Sequence, residues 1–396
     1  MVVSKAFRES EIRFNNLSEE ALEFFVEHGY VVLDSVFGVE EMDESNQVLE
    51  EMRKRYAGDM GLDLESYDER ICQWRDMWMT EPQFDELLRD NRLIQAAQFF
   101  MRQPSIQLIH DHVIRKPFSA LNSTIPWHQD YPFWPVDTPD ALSTWTPMED
   151  VTTSGGCLEV VDKSHKWGVS PPVDFIMDPM DFSERKDVIR IPVKKGSMVV
   201  LHSLTWHRTN PNEDKGTNRP AHISLWVPSF ARYRPDLSDW HPVNDHITVE
   251  AGEHLNVDKF PRFGEFDESN APSPNSDELH TGPLKSESTM DMFSATPRIA
   301  GHIHRIIGDN QRGLPVRKLV DYANDEEVRR VVFERSLEKG IISEGQEKWL
   351  EGIFERMLIN STAYLRHRAR NVYNDAYAQW WFHVGVKWVE LWDNLE

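Results

Sequence analysis

Apolar residues near the N-terminus recur at helical spacing. Leu22, Phe25 and Val26 fall at i, i+3 and i+4 behind Ser18, with Glu19 and Glu20 between. A serine hydroxyl can cap the first turn, and carboxylates there face the positive end of the helix dipole. Gly29 is positioned to end the helix. The run Y-V-V-L-D-S-V-F that follows reads as a strand, and a second helical stretch covers roughly 39–58. The chain therefore opens with a helix–strand–helix unit.

The middle switches to strand patterning. S-I-Q-L-I-H-D-H-V-I (105–114), L-E-V-V (158–161), V-I-R-I-P-V (188–193), S-M-V-V-L-H (197–202) and A-H-I-S-L-W-V (221–227) are short and rich in β-branched residues. Gly, Pro or Asn bounds them, as expected of strands. Many strands at irregular spacing predict a sandwich or barrel rather than alternating βαβ units. Gly155 and Gly156 before C-L-E-V, and Gly196 in K-K-G-S, are expected to turn the chain, with positive φ at the glycine pair.

Over 264–296 the chain becomes polar and rich in Pro and Ser, the composition of a flexible loop or linker. Beyond it, Tyr377, Trp380, Trp381, Val384, Trp388 and Leu391 line one helical face. A helical extension over 297–396, packed on the β core, is expected, with a lid or a dimer contact as alternatives. The predicted class is α+β: a mainly β core with N-terminal helices over 1–263, then the loop, then the extension. No internal repeat is evident.

Composition narrows the function. Lys+Arg number 43 against 66 Asp+Glu, a formal charge of −23 over 396 residues, which disfavours nucleic acid and anionic membrane surfaces as partners. A single buried Arg can still bind an anion in so acidic a chain. Two cysteines, Cys72 and Cys157, are too few for a disulfide scaffold or a Cys-rich metal site. Cys157 reads as a small buried residue with no adjacent base to lower its pKa. The charged N-terminus lacks the apolar run of a signal peptide, and no stretch approaches the roughly 18–20 apolar residues of a membrane span. A cytoplasmic location is expected, and the oligomeric state is unassigned. Neither Gly-x-Gly-x-x-Gly nor a P-loop occurs, which disfavours a dinucleotide or nucleotide enzyme.

The stretch W-H-Q-D-Y-P-F-W-P, 127–135, sets an imidazole and a carboxylate two residues apart. With 16 His in the chain, about one H-x-D arises by chance, so this pair needs a third partner. Alternate residues of a strand face one side, so His128 and Asp130 can face inward while Gln129 faces away. Non-haem Fe(II) sites need two imidazoles and one carboxylate, leaving open positions. His207, in L-T-W-H-R-T-N-P-N, follows a predicted strand, although His110, His112, His165, His202 and His222 also lie in this half. Twelve residues beyond His207 comes Arg219, opening R-P-A-H-I-S-L-W-V. A buried Arg there could hold a dicarboxylate through paired charge-assisted bonds, each contributing roughly 1.5–3 kcal/mol.

Taken together, H-Q-D-Y-P-F-W-P, S-T-W-T-P-M-E-D-V-T-T-S-G-G-C-L-E-V-V-D-K-S-H-K-W-G, K-K-G-S-M-V-V-L-H-S-L-T-W-H-R-T-N-P-N and N-R-P-A-H-I-S-L closely resemble the phytanoyl-CoA dioxygenase family. The N-terminal L-S-E-E-A-L-E-F-F-V-E-H-G-Y-V-V-L-D is similar to that family's start. The resemblance covers roughly 17–234; the remaining C-terminal third matches no recognised pattern. It implies a double-stranded β-helix (a jelly roll, cupin-like) and an Fe(II)- and 2-oxoglutarate-dependent oxygenase. It further implies His128, Asp130 and His207 as iron ligands and Arg219 as partner of the distal carboxylate of 2-oxoglutarate. Thr209 stands where the family has a small hydroxyl residue near that carboxylate, and Trp145 matches a tryptophan beside the co-substrate. His110 is a weaker candidate for the same contact.

The chemistry so implied consumes O2 and 2-oxoglutarate, with ascorbate as an aid in vitro, releases succinate and CO2, and oxidises a substrate C–H bond. Asp130 fills a position that is Gly or Ala in related halogenases, which favours oxygenation over chlorination. Hydroxylation is the commonest outcome, while desaturation or oxidative cyclisation need the same site. Related enzymes take acyl-CoA, amino acids, terpenoids and other secondary metabolites; the aromatic run Trp127, Tyr131, Phe133 and Trp134 hints at a bulky, partly apolar ligand. Two readings compete: a cupin-like metalloenzyme working without 2-oxoglutarate, which does not need Arg219, and a non-catalytic jelly-roll binding protein, which does not need three ligands.

Overall fold

The computed structural model describes residues 12–272, apart from 60–61, 69–70, 119, 121–122, 171–179 and 236–241, together with 330 and 334. The expected C-terminal apolar helix, the extension over 297–396 and most of the 264–296 loop lie outside the described residues.

The N-terminal part alternates short strands and helices: β1 (Arg13–Phe14), α1 (Glu19–His28), β2 (Tyr30–Leu33), α2 (Val39–Asp59), α3 (Leu64–Tyr67), β3 (Cys72–Arg75), α4 (Met77–Thr80), α5 (Pro82–Leu88) and α6 (Asn91–Met101). The Ser18 hydroxyl accepts from Ala21 N at 3.3 Å, and Gly29 closes α1 at φ 83° with its N–H on Phe25 O. Both caps sit where the residue types require. The apolar face is rotated from the predicted one. Ala21, Leu22 and Phe25 are buried, while Val26 is 46% exposed because it falls beyond the edge of an arc centred on Phe25.

Nine strands follow: β4 (Ile106–Arg115), β5 (Ile125–His128), β6 (Leu142–Pro147), β7 (Leu158–Val161), β8 (Val188–Ile191), β9 (Met198–His202), β10 (His207–Thr209), β11 (Pro220–Pro228) and β12 (Arg262–Phe263). They form two sheets. The larger runs β1-β2-β9-β6-β11-β4-β12, with β3 also on β4; the smaller runs β5-β10-β7-β8. Every pairing except β1–β2 is antiparallel. The class is thus mixed α/β.

Two apolar clusters explain the strand composition. Trp145, Val199, Leu201, Ile223 and Leu225 of the large sheet share a core with Leu158, Val160 and Ile191 of the small one, so the sheets face each other. The opposite face of the large sheet, with Leu108, Val113, Leu142, Val200 and Trp226, packs on Phe25, Phe84, Leu93 and Phe100 of the helices. A sheet covered on both sides has no polar alternation to show, and every residue of β11 is buried.

One histidine–carboxyl pair is enclosed on the helix-facing side. His222 Nε2 meets Asp111 Oδ2 at 2.8 Å, both fully buried beside the Phe84 ring. Trp78 N donates to the same carboxylate and Asp76 N to Asp111 O, fastening α4 to β4. Among the described residues, no helix is long and apolar enough to cross a membrane.

Turn glycines behave as anticipated at Gly156 (φ 70°) and Gly196 (φ 77°); Gly155 keeps negative φ. At Gly196 an added Cβ would stand 2.3 Å from Phe37 O. Gly196→Ala is therefore expected to destabilise the fold by about 1–3 kcal/mol, read as a lower denaturant midpoint with an unchanged slope. An unchanged midpoint would contradict the tight β2–α2/β9 contact.

Candidate metal centre

β10 lies between β5 and β7 in the small sheet, and its register sets His207 opposite His128 and Val160. Paired residues point to the same side of a sheet, so both imidazoles project toward the shared core. Asp130 differs from expectation in one respect. β5 ends at His128, and Asp130 occupies the turn beyond it, where Asp130 N and Tyr131 N both donate to Ser203 O. Gln129 faces away, as predicted: its Nε2 donates to Gly168 O and Leu204 O, and its Oε1 accepts from Ser170 N.

The three side chains converge. His128 Nε2 and His207 Nε2 lie 3.5 and 3.7 Å from Asp130 Oδ1, and the two rings are 4.2 Å apart between centroids. At metal–ligand bonds of about 2.1 Å, ligands at right angles stand about 3 Å apart, so a small inward movement would close the site. Each imidazole has its tautomer fixed. His128 Nδ1 sits 2.8 Å from Pro126 O, and His207 Nδ1 sits 2.9 Å from Thr205 O. A carbonyl only accepts, so Nδ1 carries the hydrogen and each Nε2 lone pair is turned toward Asp130. Ser143 donates to Asp130 Oδ2 at 2.5 Å and leaves Oδ1 for a cation.

Charge effects agree with a cation site. Burial alone would raise Asp130, yet the pull of His207 and His128 and the Ser143 hydroxyl outweigh it and hold the carboxyl below its usual range. His207 is pushed down to about 4 by burial and by His128, against Asp130, and so is neutral at physiological pH. Neutral imidazoles and an ionised carboxylate are the forms that ligate metals. Among the described residues this is the one cluster of three such side chains with all donor atoms within 4.8 Å.

Arg219 immediately precedes β11, in the sheet that faces the small one. It stands at φ 43° before Pro220 and is 2% exposed, and Nε, Nη1 and Nη2 all lack a hydrogen-bond partner. Its guanidinium carbon is 5.4 Å from the centre of the Trp145 ring. Burial lowers it to about 10, still charged at neutral pH. A buried cation with no acceptor is costly, so the pocket fits an anion. Thr209 shares the inward side of β10 with His207. Its hydroxyl takes a 2.5 Å hydrogen bond from Lys116 Nζ.

Other candidates separate by face. His110 and His112 register with Leu225 and Ile223 on the inner side of β4, stacked with ring centroids 5.2 Å apart. His222 lies on the helix-facing side with Asp111, while His202 packs on Phe25 and His165. Two residues of this region escaped the sequence: Ser143 and Lys116. Lys116 left one signal, a charge closing an apolar strand just before Pro117.

One expectation needs correction. The aromatic run divides in two. Trp127 points into a separate cluster with Trp206 and Phe182, while Tyr131, Phe133 and Trp134 join the core between the sheets, with Phe133 6.3 Å from His128 between ring centres. Strand alternation at Trp127 takes it off the side on which His128 lies. Cys157 is buried as expected. Burial pushes its thiol up to about 11, against the Ile191 backbone hydrogen bond and the pull of Arg219 and Arg190.

Residues 25–221 match the family profile described as phytanoyl-CoA dioxygenase (PhyH). Human peroxisomal phytanoyl-CoA dioxygenase is 24% identical over 224 residues, spanning 51% of this chain and 66% of that protein. The bovine protein of the same name is 22% identical over 232 residues with the same coverage. The chain thus spans just under two thirds of the length of these relatives. The crystal structure of SnoK, a non-heme alpha-ketoglutarate-dependent carbocyclase from nogalamycin biosynthesis, superposes with a TM-score of 0.51 at 22% identity, covering 62% of this chain and 96% of that one. That is a likeness of fold.

His207→Ala is expected to abolish binding of one divalent metal per chain, measured by metal titration, with the fold retained. His222→Ala should keep the metal but lower stability by about 3–5 kcal/mol, because Asp111 loses its buried partner. Metal loss in the second variant and not the first would reassign the centre.

Proposed function

With residues 25–221 assigned to the phytanoyl-CoA dioxygenase family, we propose that this protein is an Fe(II)- and 2-oxoglutarate-dependent oxygenase. It oxidises a C–H bond of a small molecule, by hydroxylation in the simplest case, in secondary metabolism. The strand order β4-β11-β6-β9 opposite β5-β10-β7-β8 supports a double-stranded β-helix as its core. The domain of residues 1–263 would carry the chemistry.

In this reading His128, Asp130 and His207 hold the iron, Arg219 receives the distal carboxylate of 2-oxoglutarate, and Thr209 and Trp145 line that end. His110, on the inner face of β4, stands toward the same cavity. The bound metal supplies O2 activation coupled to decarboxylation of 2-oxoglutarate, which yields succinate and CO2. The chain's own part is geometric and electrostatic. Ser143 and the two backbone carbonyls aim the ligand atoms. Arg219 orients the co-substrate, and the apolar core between the sheets excludes water from the reacting groups.

The observation that carries this reading is the buried guanidinium with three unpartnered nitrogens beside a two-histidine, one-carboxylate site. A cupin-like metalloenzyme that works without 2-oxoglutarate would leave that cation unexplained. Acyl-CoA, amino acid and terpenoid substrates all remain compatible with the site.

The test is succinate formation from 2-oxoglutarate by anaerobically purified protein given Fe(II), ascorbate and air, with and without a small library of those substrates. Iron-dependent succinate that rises with one library member is expected, and none from His128→Ala. Arg219→Ala should raise the 2-oxoglutarate concentration required by about 10- to 150-fold while iron is retained, the loss of about 1.5–3 kcal/mol. Unchanged 2-oxoglutarate dependence in that variant would favour the cupin-like alternative.

A further inference from the structure

Lys116 is the second buried cation of the cavity. It follows the last residue of β4 and is fully enclosed. Its ammonium donates three hydrogen bonds: to Thr209 O at 3.1 Å, Thr209 Oγ1 at 2.5 Å and Asn210 O at 3.0 Å. All three acceptors are neutral. The charges that act on it are Arg219 and, weakly, the Cys157 thiol; no carboxylate does. Burial first, and the Arg219 charge second, push Lys116 well below the usual lysine range. A lysine packed beside an unpaired arginine, with no counter-charge, is an arrangement that an incoming anion relieves.

The hydrogen-bond geometry assigns a direction. Thr209 Oγ1 accepts from Lys116 Nζ, so the hydroxyl's own hydrogen is turned away from that amine and left for another acceptor. This hydroxyl belongs to a residue that shares the inward side of β10 with His207, and Arg219 adds three unpartnered donors.

We propose that Lys116 is a positioning residue for the co-substrate: acting through Thr209, it orients a hydroxyl donor that makes the pocket select a ligand ending in a carboxylate. This rests on the 2-oxoglutarate reading above. It differs from a tie between the ends of β4 and β10, which the same three bonds would also make, in its dependence on the ligand's far end.

Two ligands separate the roles: 2-oxoglutarate, and 2-oxopentanoate, which has the same carbon chain without the distal carboxylate. Affinities are measured for the metal-loaded full chain, anaerobically, by calorimetry, with metal content and melting temperature recorded for each variant. Lys116→Met is expected to weaken 2-oxoglutarate by about tenfold or more, the size of one lost bond to a charged group, and to leave 2-oxopentanoate unchanged. Thr209→Val should do the same, and the double variant should lose no more than the larger single, since Lys116 acts through that hydroxyl. Equal weakening of both ligands in Lys116→Met, or full additivity with Thr209→Val, would overturn the proposal and leave Lys116 as a structural tie. Should Lys116→Met fail to fold, Thr209→Val decides: loss of preference for 2-oxoglutarate over 2-oxopentanoate supports it, and retained preference defeats it. Failure of the wild-type protein to bind 2-oxoglutarate at all would instead remove the underlying reading, an outcome distinct from any of these.

Discussion

The pairing of β5 with β10 governs the rest. A three-residue strand, His207–Thr209, is held on both edges, by β5 and by β7. Side-chain direction alternates along a strand, so a slip of one residue would turn His207 outward, away from His128. That slip would also move Thr209 off the cavity wall and expose the inward partners Leu158 and Val160 to a mismatched face. The apolar core between the sheets thus enforces the register, and the register assembles the two imidazoles.

Around that frame the cavity holds charges that lack their natural complement. Asp130 is surrounded by imidazole nitrogens and a serine hydroxyl, poised for a cation. Arg219 and Lys116 stand without carboxylates, poised for an anion. The helix-facing side of the same sheet treats its buried charges oppositely, pairing Asp111 with His222 and adding a backbone N–H. Satisfied charges thus fasten structure and unsatisfied ones mark the site, a division consistent with the cost of burying either kind.

Much of this was legible in the residues because it depends on local rules. Ser18 and Gly29 announce α1, β-branched runs announce the strands, and H-x-D with a distant His and Arg announces the centre. The failures have physical causes. Asp130 lies in a turn, which the alternation argument did not foresee, although its carboxylate still meets the imidazoles. Trp127 looked contiguous with the aromatics that follow it, but strand alternation sends it to another cluster while Tyr131, Phe133 and Trp134 enter the core. α3 to α6 carry no motif and are held by tertiary packing on the sheet. Lys116 was invisible because its role depends on Thr209 and Asn210, some ninety residues away, brought close only by folding.

Gln129, between His128 and Asp130, is clamped to Gly168, Leu204 and Ser170 by three hydrogen bonds. The peptide units on either side of it are those that carry His128 and Asp130. A displacement of the 168–170 segment is therefore transmitted mechanically to both, with an amide side chain as the connecting rod. The 168–170 segment and the two inward side chains are thus coupled through the sheet by one amide.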